Sequence, residues 1–114
     1  MMSLVYGYAC IIGVTEAMLF AITNIDKPNT QALRAATREM HLGYLDSIVA
    51  QMVLAGPVLN AEGQPAGSLL IVEAENQAAA EAFAAADPYV KAGLFESVTI
   101  RPYRLVYKDG TRLA

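Results

Sequence analysis

The chain has few of the side chains that catalysis most often uses: one histidine, one cysteine and no tryptophan in 114 residues. A lone cysteine, Cys10, excludes an internal disulfide and a cysteine-rich metal site, and it is typical of a reducing, cytoplasmic protein. Zinc or copper would have to be held almost entirely by carboxylates, which these ions do not prefer. The spacings of nucleotide-binding loops and of the G-x-S-x-G elbow are also absent. We therefore expect neither a metal nor a cofactor.

Charged residues are also scarce, at 17% of the chain against 55% hydrophobic residues, and the net charge is −3. The eight lysines and arginines are spread along the sequence, whereas phosphate binding needs a concentrated basic surface, so we do not expect a nucleic-acid partner. A single domain of this size cannot hide so many apolar side chains alone. We expect part of them to meet another subunit.

The first seventeen residues do not match the rest of the sequence. They are apolar, are interrupted by Gly7 and Gly13, and contain one charged residue, Glu16. A signal peptide would carry a basic segment first, and a membrane span would need about 20 uninterrupted apolar residues, so neither is expected. We interpret residues 1–17 as an extension outside the domain. The alternative is an apolar arm that packs on a neighbouring subunit.

The remaining sequence predicts an α+β domain over residues 18–108, followed by a polar tail at 109–114 that frays. Strands are predicted at 18–24, 52–55, 67–74 and 97–108, and helices at 31–51 and 77–86, the second capped by Asn76. This is the β-α-β-β-α-β order of the ferredoxin-like fold. Gly56 and Pro57 should kink the second strand or place it at an edge. The third strand carries apolar residues on both faces, whereas two helices cover one face, so the other face is expected to form a homodimer.

His41 lies on the apolar stripe of the first helix. At 100° per residue, this stripe contains the following residues: Leu33, Thr37, Met40, His41, Tyr44, Leu45, Ile48 and Met52. Imidazole is the side chain that most readily exchanges protons near neutral pH. Two interpretations stay open, a histidine that hydrogen-bonds a backbone carbonyl in the core and a general acid or base in a pocket.

Asp87 is the candidate partner of His41. An Asp-Pro pair is a common helix start, with the carboxylate capping the first turn and proline filling its first position. Helix capping alone would account for an aspartate at position 87, but a carboxylate can cap a helix and also face a pocket. Paired with His41, it would fix the tautomer and the orientation of the imidazole ring.

Other candidate ligand contacts surround this pair. Arg38 and Arg34 lie along the same edge of the helix as His41 and could anchor a carboxylate or phenolate, or they could form a solvated helix edge. The remaining candidates are Gly56 and Pro57, which would leave space for a ligand, Ser68 as a hydrogen-bond donor, and Tyr89 and Phe95 as an apolar wall.

Two patterns resemble the YCII-related (YciI-like) family. They are R-x-x-H-x-x-Y-L at residues 38–45 and D-P-Y-x-x-A-G-L-F at residues 87–95, and the resemblance extends over about residues 18–107. It implies the dimeric α+β barrel fold and a His–Asp active site, which falls on His41 and Asp87. Most members of the family have no assigned reaction, but one is a dehydrochlorinase of chlorinated hydroxyquinols.

Two functions are consistent with the sequence. One is a cofactor-independent isomerase or lyase that moves a proton in a small acidic or phenolic metabolite. The other is a non-catalytic ligand-binding or accessory dimer. A contact between His41 and Asp87 at an open pocket would favour the enzyme, and a sealed histidine would favour the binding module.

Overall fold

The computed structural model describes residues 18–113 of the chain. The elements of the domain, in chain order, are β1 (Met18–Asp26), α1 (Gln31–Ser47), β2 (Met52–Leu59), β3 (Pro65–Ala74), α2 (Gln77–Ala86), α3 (Pro88–Lys91), β4 (Phe95–Tyr103), β5 (Tyr107–Lys108) and β6 (Thr111–Arg112). A 3₁₀ turn, Val49–Gln51, joins α1 to β2. The interpretation of residues 1–17 as an extension concerns residues outside the described part.

The four long strands form one antiparallel sheet in the order β2-β3-β1-β4. The first and third strands of the chain lie in the centre, and the strands that follow α1 and the α2–α3 segment lie at the two edges. This is the ferredoxin-like arrangement expected from the sequence, and the α+β fold class is confirmed.

Both long helices pack on one face of this sheet. The central strands contribute Phe20, Ile22, Leu70 and Val72 to the core, and α2 contributes its small residues Ala80 and Ala84. Leu45 of α1 packs against the same cluster. Asn76 starts α2 as predicted, because its side chain accepts a hydrogen bond of 2.8 Å from the backbone N–H of Ala79.

Two expectations about α1 were wrong. The helix ends at Ser47 rather than continuing to residue 51, because Ile48 leaves the helical region with φ −120° and ψ 21°. Met40 was assigned to the buried stripe, but it is 67% exposed. It lies at one edge of the stripe, and the centre of the buried arc runs through Thr37 and His41.

The opposite sheet face keeps several large apolar side chains in contact with solvent. Strand register places Ile25, Leu54, Val58 and Tyr103 on this face, and all four are exposed. No helix is long and apolar enough to cross a membrane in the part of the chain that the structure describes.

The strand boundaries correct the sequence prediction at several points. β2 passes through Gly56 and Pro57 and ends at Leu59, and it is an edge strand, as the proline had suggested. β4 begins earlier and ends earlier than predicted, at Phe95 and Tyr103.

The tail does not simply fray, because β5 and β6 pair as a short hairpin turned by Asp109 and Gly110, both at positive φ. Four of the eight basic residues lie between residues 101 and 112: Arg101, Arg104, Lys108 and Arg112.

Candidate active site

A cavity of about 270 Å³ opens between α1 and the β2–β3 side of the sheet. From α1 it is lined by Gln31, Arg34, Ala35, Arg38, His41 and Leu42, from β2 by Ala55, Gly56 and Pro57, from β3 by Pro65, Ser68 and Leu70, and from α3 by Tyr89. Eight of the nine candidate residues are therefore brought together, Asp87 among them through its contact with His41. Neither Asp87 nor Phe95 lines the cavity: Asp87 is linked to it through His41, and Phe95 is the candidate that stays outside the site.

His41 and Asp87 are in direct contact at the inner end of this cavity. The imidazole Nδ1 lies 2.8 Å from Asp87 Oδ1, and both side chains are buried. The same carboxylate oxygen accepts a hydrogen bond of 2.9 Å from the backbone N–H of Tyr89 and so caps α3. One carboxylate therefore holds the start of a helix and the histidine ring together. With Nδ1 engaged by Asp87, Nε2 is the ring nitrogen that remains for a ligand.

Tyr89 is stacked on the histidine. Their ring centroids are 4.0 Å apart with an angle of 17° between the planes, and Phe95 meets the edge of Tyr89 at 5.9 Å. Phe95 thus supports the tyrosine from behind and does not form the wall we had expected from it. Burial raises the pKa of the Tyr89 phenol, and nearby Asp87 adds to this, while Arg34 and Arg38 act in the opposite direction. The net shift is upward, so the phenol stays protonated at neutral pH.

Arg34 is not a free cation. Its Nε and Nη2 donate to the two carboxylate oxygens of Asp26 at 2.8 and 3.0 Å, and Nη2 also donates to the carbonyl of Gly67 at 3.0 Å. The guanidinium carbon lies 4.8 Å from the centre of the Tyr89 ring. Burial disfavours the charge, but the bidentate pair with Asp26 outweighs it and raises the pKa of Arg34. This arginine ties α1 to β1 and β3 and supports the tyrosine.

Arg38 differs from Arg34 in being exposed at the mouth of the cavity. No salt bridge is found for it among the described residues. Its charge is therefore available to a ligand, and of the two arginines proposed as anion anchors it is the one that can act as such.

The wall opposite α1 is small and neutral. Ala55, Gly56 and Pro57 leave space, and Ser68 places a buried hydroxyl at this side. Gly67 allows the strands to approach, because a Cβ built there would lie 2.4 Å from the backbone oxygen of Asn24.

Sequence reasoning missed two residues that hold the site together. They are Asp26, which pairs with Arg34, and Asn24, whose side chain contacts Ser68. The carbonyl of Gly67 also accepts a hydrogen bond from Arg34. Asn24 could have been noticed, since it alternates with Phe20 and Ile22 on the buried face of the first strand. Asp26 looked like an ordinary turn residue. Within residues 18–113, no group of three or more histidine, cysteine or acidic side chains is placed to hold a metal ion.

Comparison with known proteins gives matches over most of the chain. A family model of the YCII-related domain matches residues 18–104. An uncharacterized protein of Haemophilus influenzae is 37% identical over 98 residues, which cover 79% of this chain and 100% of the relative. Protein YciI of Escherichia coli is 34% identical over the same shares of the two chains.

One solved structure is similar in fold and in sequence. It is the 5-chloro-2-hydroxyhydroquinone dehydrochlorinase of Burkholderia phenoliruptrix, in complex with 2,5-dihydroxybenzoquinone. The TM-score is 0.73 at 34% identity, and the match covers 76% of this chain and 94% of that one. The family resemblance inferred from the sequence is confirmed by these matches.

Proposed function

The chain belongs to the YCII-related family, and on that premise we propose that it is a cofactor-independent lyase or isomerase that moves a proton in a small acidic or phenolic substrate. The observation that carries this proposal is the 2.8 Å contact between His41 and Asp87 at an open cavity. A histidine kept only for packing would be sealed in the core. Here the ring lines the cavity, and Asp87 orients it.

His41 acts first as a general base and then as a general acid. With Asp87 accepting from Nδ1–H, the lone pair of Nε2 takes a proton from a ring hydroxyl of the substrate. For a chlorinated polyhydroxybenzene, a proton is returned to the carbon that carries chlorine, and chloride leaves with the electron pair of the C–Cl bond. A second hydroxyl proton goes to solvent, so HCl is lost in total. The electrons come from the ring, and no external oxidant or reductant is needed.

The substrate class follows from the charges around the cavity. Arg38 offers an unpaired positive charge at the mouth, which favours a carboxylate or a phenolate. Tyr89, stacked on His41, stays neutral and so adds no negative charge that would oppose such an anion. The similarity to a dehydrochlorinase supports hydroxylated, chlorinated rings as the first compounds to examine.

The test is turnover of chlorinated hydroxyquinols, hydroxylated aromatics and lactones, with chloride release and quinone absorbance as the readouts. His41→Gln should lower kcat by about 10²–10⁴-fold, the usual contribution of a general base. Asp87→Asn should lower kcat less than His41→Gln does, because the ring keeps a partner but loses its preferred tautomer. Met40→Gln is the matched control, one residue along the same helix and exposed. If no compound is turned over, and ligands bind these variants as tightly as wild type, the protein is a binding module instead.

We also propose a cytoplasmic homodimer or larger assembly formed through the sheet face opposite the helices. Its support is the set of exposed apolar residues on that face, which includes Leu54 and Val58. Sedimentation at micromolar concentration should give at least a dimer, and Val58→Lys should shift it toward monomer. A wild-type chain that sediments as a monomer would exclude this assembly.

A further inference from the structure

A second polar pair lies at the β3 side of the cavity. Ser68 lines the cavity, and Asn24 lies behind it on β1, directly opposite in the strand register. Both residues are 4% exposed. Asn24 Nδ2 donates a hydrogen bond of 2.8 Å to Ser68 Oγ. The pair thus has the same layout as His41 and Asp87, with one residue at the cavity and its partner buried behind it.

The direction of this hydrogen bond determines what Ser68 can do. A serine hydroxyl has one hydrogen to donate and two lone pairs to accept with. Because the oxygen accepts from Asn24, its hydrogen remains for another group, and no acceptor for it is found among the described residues. Ser68 therefore faces the cavity as a hydrogen-bond donor.

This arrangement leaves one polar atom of Asn24 without a hydrogen bond, which is unfavourable. Its Oδ1 is buried and has no hydrogen-bond partner within the part of the chain that is described. Buried polar atoms without a partner are rare and unfavourable in folded proteins. An apolar side chain among Phe20 and Ile22 would avoid this atom. What an asparagine adds at this position is an amide N–H directed at Ser68.

We propose that Ser68 is the second polar contact of the substrate, donating to a substrate oxygen on the side of the cavity across from His41, and that Asn24 is the positioning residue that keeps it a donor. This inference rests on the proposed function and deepens it. It specifies the substrate class as a ring with two oxygen functions on different sides: one meets His41, and the other is a phenolate or carbonyl oxygen that accepts from Ser68.

The experiment measures binding without turnover, by calorimetry, with three probes. They are 2,5-dihydroxybenzoquinone, benzene-1,4-diol and phenol, and the last two differ only in the second ring oxygen. The variants are Ser68→Ala, Ser68→Thr, Asn24→Asp and the control Ser97→Ala, an exposed serine outside the cavity. Thermal unfolding of each variant reports whether it folds.

Ser68→Ala should weaken binding of the quinone and the diol about tenfold and leave phenol unchanged, because only the first two reach the serine. Ser68→Thr, which keeps the hydroxyl, should restore the preference for the diol over phenol. A role confined to folding would change all three affinities together. Where a substrate is turned over, Ser68→Ala should raise KM more than it lowers kcat.

Asn24→Asp tests the positioning role with almost no change in shape. A carboxylate only accepts, so it would attract the hydroxyl hydrogen of Ser68 and turn the serine away from the ligand. The variant should therefore bind the probes as Ser68→Ala does. If Asn24→Asp binds the probes as wild type does, Asn24 is not the residue that keeps the Ser68 hydroxyl a donor to the ligand.

Failure of this inference differs from failure of the proposed function. If wild type turns over a substrate but Ser68→Ala binds the diol as tightly as wild type, only the role of Ser68 is overturned. If no compound is turned over but the preference for the diol over phenol still depends on Ser68, Ser68 contacts the ligand and the protein is a binding module. A wild-type protein that binds none of the three probes overturns both.

Discussion

The two walls of the cavity are built differently. The helix wall, formed by α1 and by Tyr89 of α3, is ionisable and aromatic. Its buried groups are held by partners from other elements, as His41 is by Asp87 and Arg34 by Asp26. The β2–β3 wall is small and neutral, and Ser68 is its one buried hydroxyl. The ionisable groups are thus concentrated on the helix side, while the small residues of the sheet side determine how closely a ligand fits.

The same contrast separates two arginines one turn apart on α1. Arg34 is buried, bidentate to Asp26 and bonded to a backbone carbonyl, so its charge serves the fold. Arg38 is exposed at the cavity mouth and can serve a ligand. Identical side chains on one edge of a helix therefore have different roles, because Asp26, which precedes α1, pairs with Arg34 and not with Arg38.

The largest effect is expected when the buried ion pair is broken. Arg34→Met keeps most of the side-chain volume but leaves the Asp26 carboxylate, 8% exposed, without its cation. We expect the free energy of unfolding to fall by about 3–5 kcal/mol, measured by urea denaturation. Arg38→Met, the matched control, should change it by no more than about 0.5 kcal/mol.

The double variant Arg34→Met/Asp26→Leu distinguishes this explanation from simple loss of packing. Replacing both partners removes the uncompensated charge, so most of the lost stability should return. A double variant as unstable as the single one would show that the ion pair is not the cause.

A smaller effect is expected at the sheet wall. Gly67→Ala places a methyl group 2.4 Å from the backbone oxygen of Asn24, which forces β1 and β3 apart. We expect a loss of about 1–3 kcal/mol in the free energy of unfolding, as for other overpacked positions. Gly56→Ala is the control, because nothing lies within 4 Å of a Cβ built there. Equal stability of the two variants would contradict the close approach.

Local patterns predicted much of the fold and the centre of the site. The strand and helix order followed from periodicity, and the capping role of Asp87 followed from the Asp-Pro pair. The contact of Asp87 with His41 was one of two open interpretations, and the family resemblance also implied it. These predictions depend on residues that are close in sequence, or on the face of a single helix or strand that must be buried.

The missed features depend on where distant segments meet. The pairing of Arg34 with Asp26 requires the end of β1 to pass beside α1, which no periodicity encodes. Phe95 was placed at the ligand because it is aromatic and near Asp87, but the turn after α3 brings it behind Tyr89. Met40 lies at the edge of its stripe, where the width of the buried arc decides exposure.

The smallest effect is expected at the cavity mouth, where Arg38 acts on a ligand through solvent. Arg38→Gln should weaken binding of an anionic probe such as 2,5-dihydroxybenzoquinone by about 0.2–1 kcal/mol, at most about fivefold, because exposed charges are screened by water. The difference from wild type should shrink as salt is raised from 0.01 to 1 M, since the Debye length falls from about 30 to 3 Å. Lys91→Gln, a basic residue outside the cavity lining, is the control for net charge. If both variants weaken binding equally at low salt, the effect belongs to the overall charge of the protein, and Arg38 has no specific role at the cavity mouth.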